Sequence, residues 1–227
     1  MLKPDEVGEY VDSLPFSNSD RQVRLICILS AAIAVCNNQL TRAIMLYLKA
    51  EGIERKLIYE TILQSYLFLG FPRMIEAALV FNEVFGNDER TKAKIKKYSA
   101  KESERWFNKG RGLCQIVYGR NYHLLEKRFR EISPEIFRWM VIEGYGKVLS
   151  RPGMTQIERE LAEVAALTVD KRERQLLSHI VGSLNVGVDI DLIHKVNGDI
   201  KPIAGSKAFR MAKNIISEIE KKNEAQK

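Results

Sequence analysis

His179 and Glu160 are the residues of this chain whose types and positions most directly suggest chemistry. Both lie in the stretch Ser150 to Gly187, SRPGMTQIERELAEVAALTVDKRERQLLSHIVGSLNVG, which reads as a tight corner, two antiparallel helices and a glycine stop. His179 has Leu176 and Ser183 as its helical neighbours, so it stands beside the apolar stripe. An imidazole there can act as a general acid or base near neutral pH. The alternative is a core-edge histidine that donates one hydrogen bond. Glu160 stands next to Ile157 and Val164, at the margin of the facing helix. A carboxylate opposite an imidazole orients the ring and raises its basicity. The alternative is a surface glutamate paired with an arginine or lysine. Arg151, in the R-P-G corner, can hold a substrate carboxylate through two parallel hydrogen bonds, or it can bond helix-end carbonyls. Tyr145 and Trp139 read as core aromatics, and Tyr145, nearer the corner, is the better candidate for a substrate contact. His123 and His194 have no acidic or histidine partner at ligand spacing, so no metal site is expected. No phosphate-cradling glycine loop and no nucleophile elbow are present.

The elements that must position these groups read as helices throughout. Thr155 and Glu158 form a capping box ahead of the Glu160 helix, satisfying backbone donors that a helix start leaves free. Ile157, Leu161, Val164, Ala165 and Thr168 define its buried face, and Leu176, Leu177, Ile180 and Leu184 that of the His179 helix. Upstream, Ser133-Pro134-Glu135 is a compact helix start, with cap, proline and acid in order. Nearer the N-terminus, Ser19 to Gln22 fits a capping box before a helix buried nearly all round. Asn37 or Asn38 caps the next helix, which stops at Gly52. A third helix runs from about Glu54 to Leu69, then Gly70-Phe71-Pro72 makes a corner before a fourth that ends near Gly86. Residues 87–112 read as a charged, solvent-facing bridge pinned at its end by Trp106 and Phe107. A helix broken near Gly119 follows Gly110 and Gly112. No strand alternation interrupts this pattern, so the fold class is all-α.

Composition narrows the function classes. The chain has 227 residues, 45% of them hydrophobic and 29% charged, which fits a soluble protein with a real core. Its longest apolar run, Leu25 to Cys36 around Ser30, is too short to span a membrane, and the start MLKPDEVGEY lacks the apolar segment of a signal peptide. A cytoplasmic location is expected. Cys27, Cys36 and Cys114 form no CxxC pair and read as buried thiols of a reducing compartment. The net charge of +7 gathers at Arg90 to Arg111 and at Lys221, Lys222 and Lys227, with glutamates between. Without a recognised nucleic-acid module these are solvated helix faces, and no nucleic-acid partner is expected.

The chain also repeats itself. With Gly187 placed on Gly52, Arg159 falls on Arg24, Leu161 on Ile26, Val164 on Leu29, Ala166 on Ala31 and Ile180 on Met45. Beyond the glycine, Leu192-Ile193 falls on Leu57-Ile58, Gly205 on Gly70 and Ala212 on Ala77, without a gap. Coincident glycines and a matched apolar pattern indicate duplication. The resulting division is 1–86 as a first unit, 87–130 as connector and linking helix, and 131–227 as a second unit. Two such small apolar units are expected to pack on each other and to leave surface for a homo-oligomer.

PEIFRWMVIEGYGKVLSRPGMTQIERELAEVAALTV followed by RQLLSHIVGSLNVGV resembles gamma-carboxymuconolactone decarboxylase. The upstream RGLCQIVYGRNYHLLEKRF resembles the segment that precedes those motifs in that family. EGIERKLIYETILQSYLFLGFPRMIEAA, in the first unit, resembles the family's E-x-x-x-Q-x-x-x-Y-x-G-x-P signature. The resemblance covers most of residues 20–85 and 110–193 and extends to the wider alkylhydroperoxidase D-like superfamily. It implies an internally duplicated α-helical bundle, a homo-oligomer, and a lyase acting without cofactor on a small carboxylated lactone or related acid. In that reading His179 delivers the proton, Glu160 orients it, Arg151 anchors the substrate carboxylate and Tyr145 is a further substrate contact. The signatures are divided between the units. The second tail has Lys195, Asp199, Ile203 and Lys207 where the first keeps Glu60, Gln64, Phe68 and Pro72, and the first unit has Leu25 and Ile44 where Glu160 and His179 fall. The superfamily's peroxidases use a cysteine pair. Its positions fall here on Arg172 and Gln175, and on Asn37 and Leu40 in the first unit, with Cys36 one residue out. Thiol peroxidase chemistry of that kind is therefore not expected. The alternative to an enzyme is a catalytically silent oligomer that binds a ligand or partner.

Overall fold

The computed structural model describes residues 1–86 and 97–224, so the basic residues Arg90 to Lys96 and Lys227 lie outside the described residues. Among those described, the chain forms about ten helices and no strand. They are α1 (Val7–Asp12), α2 (Arg21–Val35), α3 (Asn38–Ala50), α4 (Arg55–Phe85), α5 (Ala100–Tyr118), α6 (Tyr122–Ile132), α7 (Pro134–Trp139), α8 (Gln156–Asp170), α9 (Glu173–Asn185), α10 (Ile190–Asp199) and α11 (Lys201–Glu224). A π-helix, Met140–Leu149, continues α7. No helix among the described residues is long and apolar enough to cross a membrane.

Two compact units emerge: Met1–Gly86 together with Gly153–Lys227, and Asn87–Pro152. The first holds α1 to α4 and α8 to α11 around one core. α2 packs on α8, and each is lined with small residues, Ala31 and Ala32 on one and Ala162, Ala165 and Ala166 on the other. Close approach of the two backbones lets Ser30 Oγ donate to the Ala162 carbonyl at 2.6 Å. Around this contact Ile26, Leu29, Met45, Ile58, Leu161 and Ile180 are fully buried. Each such aliphatic side chain contributes roughly 1.5–3 kcal/mol of burial free energy.

Within this unit the backbone repeats at the same offset as the sequence. α2 and α8 end in left-handed residues, Cys36 at φ 59° and Lys171 at φ 57°. α3 and α9 are followed by Gly52 at φ 73° and Gly187 at φ 95°. α4 and α11 are each bent at a glycine, Gly70 (φ 78°, ψ 165°) and Gly205 (φ 80°, ψ 161°). Those angles belong to a region open essentially to glycine alone. The expected corner at Gly70 is thus a kink inside one long helix, with Pro72 starting its second half.

The second unit is built from α5, α6, α7 and the π-helix. Leu113, Cys114, Val117, Phe137, Val141 and Tyr145 are buried. The sequence suggests a helix break at Gly110 and Gly112, but α5 runs through both. Gly110 is the point where another backbone touches α5: a Cβ there would stand 1.9 Å from the Val141 carbonyl oxygen, and one at Gly146 would stand 2.0 Å from that of Trp106. The glycines serve a close helix crossing. Trp106 is half-buried against Tyr98, whereas Phe107 is exposed and pins nothing.

Three further expectations are corrected. Ser19 and Gln22 do not form the capping box ahead of α2. Ser17 and Asp20 exchange those bonds, and the Gln22 amide donates instead to Glu158 Oε1 at 2.7 Å. Trp139 is 60% exposed and is no core aromatic. Cys27 and Cys114 are buried, but Cys36 is exposed at the end of α2, where its left-handed backbone turns it out of the core. The caps at Asn37, Ser133 and Thr155 form as expected, each accepting from a backbone N–H of its helix's first turn.

A buried histidine and two carboxylates

α8 and α9 run side by side through the core and present His179, Glu160 and Glu163 to one another. The Thr155–Glu158 box sets the start of α8: Thr155 N–H donates to Glu158 Oε2 at 2.7 Å, and the Glu158 N–H to Thr155 Oγ1 at 3.2 Å. Glu160 and Glu163 then share a face one turn apart. On α9 the Ser183 hydroxyl donates to the His179 carbonyl at 2.8 Å. His179 Nδ1 stands 3.0 Å from Glu160 Oε2 and 2.9 Å from Glu163 Oε2. The exposed side-chain fractions are 5% for His179, 2% for Glu160 and 0% for Glu163, so the reading of Glu160 as a surface glutamate is replaced by a buried pair.

One N–H cannot serve two carboxylates. The Nδ1 hydrogen goes to Glu160, and neither Glu163 oxygen makes a hydrogen bond. Burial, and then the Glu160 charge, push the Glu163 carboxyl up to about 7. Burial alone would lower the His179 imidazolium, but the Glu163 and Glu160 carboxylates outweigh it and raise the ring well above its ordinary value. Both shifts favour the proton-bound forms of Glu163 and His179. The His179 Nε2 makes no hydrogen bond among the described residues. That leaves Nε2 as the nitrogen able to act on another molecule.

The other half of the chain completes the surroundings. The Phe68 ring, from α4, meets His179 edge-on at 5.1 Å between centroids. Gln64 and Glu60, one and two turns earlier, are both buried and take hold of Arg159 on α8: Arg159 Nη1 donates to Gln64 Oε1 at 3.0 Å, and Nη2 lies 3.3 Å from Glu60 Oε2. The tail motif of the first half therefore packs on the helix pair of the second. The reverse pairing also occurs. Arg24, in the place of Arg159, is held by Asp199, in the place of Gln64, through bonds of 2.7 and 2.8 Å. Where Glu160, Glu163 and His179 would fall in the first half stand Leu25, Ile28 and Ile44, all buried.

Of the residues expected at a site, His179 and Glu160 are brought together. Tyr145 and Arg151 belong to the other compact unit. There Tyr145 is buried edge-on to Tyr118, and Arg151 is exposed with its backbone N–H on the Val148 carbonyl at 3.1 Å. His194 has an acidic partner after all, Glu220 at 2.9 Å, from a helix distant in sequence. Glu163 is the functional candidate that sequence reasoning passed over. Its signal was its position one turn from Glu160 in ELAEV, on the same face. Glu160, Glu163 and His179 are also the one group among the described residues whose donor atoms stand close enough to hold a metal ion. Neither a protein-family model nor a curated protein matches this chain.

Proposed function

We propose that this protein is an internally duplicated, alkylhydroperoxidase D-like helical bundle of the carboxymuconolactone decarboxylase kind, acting on a small carboxylated lactone or related acid. One observation carries the reading: Nδ1 of the buried His179 is held by Glu160 while Nε2 makes no bond, the arrangement of a histidine that donates a proton from its far nitrogen. As the substrate's carboxylate leaves as carbon dioxide, the electron pair of the broken bond remains on the ring carbon. His179 Nε2 gives that carbon its proton, and the ring is reprotonated from water. The superfamily's peroxidase chemistry has no support, because Arg172 and Gln175 occupy the cysteine positions and Cys36 stands alone.

The test is release of carbon dioxide from carboxylated lactones by the purified chain. His179→Ala should lower kcat by about 10²- to 10⁴-fold, the usual share of a general acid, and Glu160→Gln by less, with folding checked by circular dichroism. Undiminished turnover by His179→Ala would exclude the mechanism. A second reading, a silent oligomer that binds a ligand or partner, is favoured by a stripe on the outer half of α4, where Phe71, Ile75 and Leu79 are 59%, 49% and 55% exposed. An oligomer without turnover on any such acid would support it.

A further inference from the structure

We propose that Glu160, Glu163 and His179 form a binding site for a divalent first-row transition cation. The first argument is distance. Donor atoms bound at right angles around one such ion, each at about 2.1 Å, stand roughly 3 Å apart. His179 Nδ1 lies 3.0 and 2.9 Å from the two carboxylate oxygens. The second is charge. A divalent ion that took the place of the cluster's protons would balance the two carboxylates that face one nitrogen inside the core. Arg159, the cation next to Glu160 in the chain, is directed to Gln64 and Glu60.

The third argument is independent of the other two. Glu163 is fully buried, faces the same nitrogen as Glu160, and has no hydrogen bond at either oxygen. A buried polar group in that condition calls for an ion or water that the protein itself does not supply. The repeat agrees. Leu25, Ile28 and Ile44 replace all three donors together, as expected of groups that have a purpose only as a set. Two carboxylates one turn apart on one helix and an imidazole from its neighbour also make a rigid frame. One nitrogen and two oxygen donors suit zinc, manganese or ferrous iron.

This goes beyond the proposed decarboxylation and has its own readout. A cation on Nδ1 displaces the proton there, so the metal-loaded chain is inactive as an acid, and lactone turnover is assayed on the chelated form. The full chain is stripped with a chelator, incubated with zinc, manganese or cobalt(II) chloride, desalted, and its metal measured by mass spectrometry. One ion per chain is expected. Cobalt should give the visible absorption of a nitrogen- and oxygen-ligated ion. Glu163→Gln should lower affinity at least tenfold. If that variant fails to fold, the wild-type cobalt spectrum decides. Wild-type protein that retains no stoichiometric cation, cobalt bound without such a spectrum, or a folded Glu163→Gln variant that binds as tightly as wild type would overturn the proposal.

Discussion

At the scale of the residue, the cluster on α8 and α9 is costly for the fold. Three ionisable side chains in a dry core are worth less than the hydrocarbon that could fill their space, because desolvation outweighs their mutual attraction. This chain contains the comparison, since the first half fills the equivalent positions with Leu25, Ile28 and Ile44. Transferring that solution, as Glu160→Leu, Glu163→Ile and His179→Ile together, should stabilise the protein by about 1–4 kcal/mol while removing the groups proposed for metal binding and proton transfer. The midpoint of chemical denaturation measures it. A triple variant less stable than wild type would show that the polar cluster has a structural purpose. His179 and Glu160 were legible through the family resemblance, which gives their positions roles, since by residue type and spacing alone each reads equally as a structural side chain. Glu163 was not, because a glutamate in an amphipathic helix is ordinarily a solvated one, and only the packing of α8 reveals that this one has no solvent side.

At the scale of the element, helix starts with a single set of possible partners were readable, and those with competing partners were not. Thr155 and Glu158 have each other. Gln22 has Glu158 as well, across 136 residues of sequence, and that long-range bond takes it away from Ser19. Gly110 misled for a similar reason, as its missing side chain answers to Val141 on another helix and not to its own. Gly70 was legible, and its role can be isolated. It and Gly205 hold nearly the same backbone angles, and neither would meet a clash from an added Cβ. Alanine at either position should therefore cost about the same, on the order of 1–3 kcal/mol of backbone strain. Phe68, two residues before Gly70, touches His179, whereas Ile203 stands in its place before Gly205. Gly70→Ala should thus also lower turnover, and Gly205→Ala should leave it near wild type once both are assayed well below their melting temperatures. Equal losses of turnover would show that the kink matters only for stability.

At the scale of the whole molecule, the two halves of the larger unit exchange parts. Arg24 in the first half relies on Asp199 in the second, Arg159 in the second relies on Gln64 in the first, and Ser30 bonds across the α2–α8 contact. The repeat was visible in the glycine spacing, but the crossing of tails was not, because sequence offset shows which residues are equivalent and not which touch. Residues 1–86 share one compact unit with 153–227 and are expected not to fold alone. Expressed alone they would leave Arg24 without Asp199, with only the longer 3.3 Å contact to Asp20, and the α2 face of Ile26, Leu29 and Ala31 uncovered, and losing a buried ion-pair partner costs up to about 3–5 kcal/mol, a large part of a domain's net stability. Fragments 1–86 and 153–227 should each lack a cooperative thermal transition and should regain one when mixed, followed by circular dichroism. A fragment of residues 1–86 that melts cooperatively by itself as a monomer would show that the exchanged tails are ornament on two independent bundles, and the single site would then belong to one half alone.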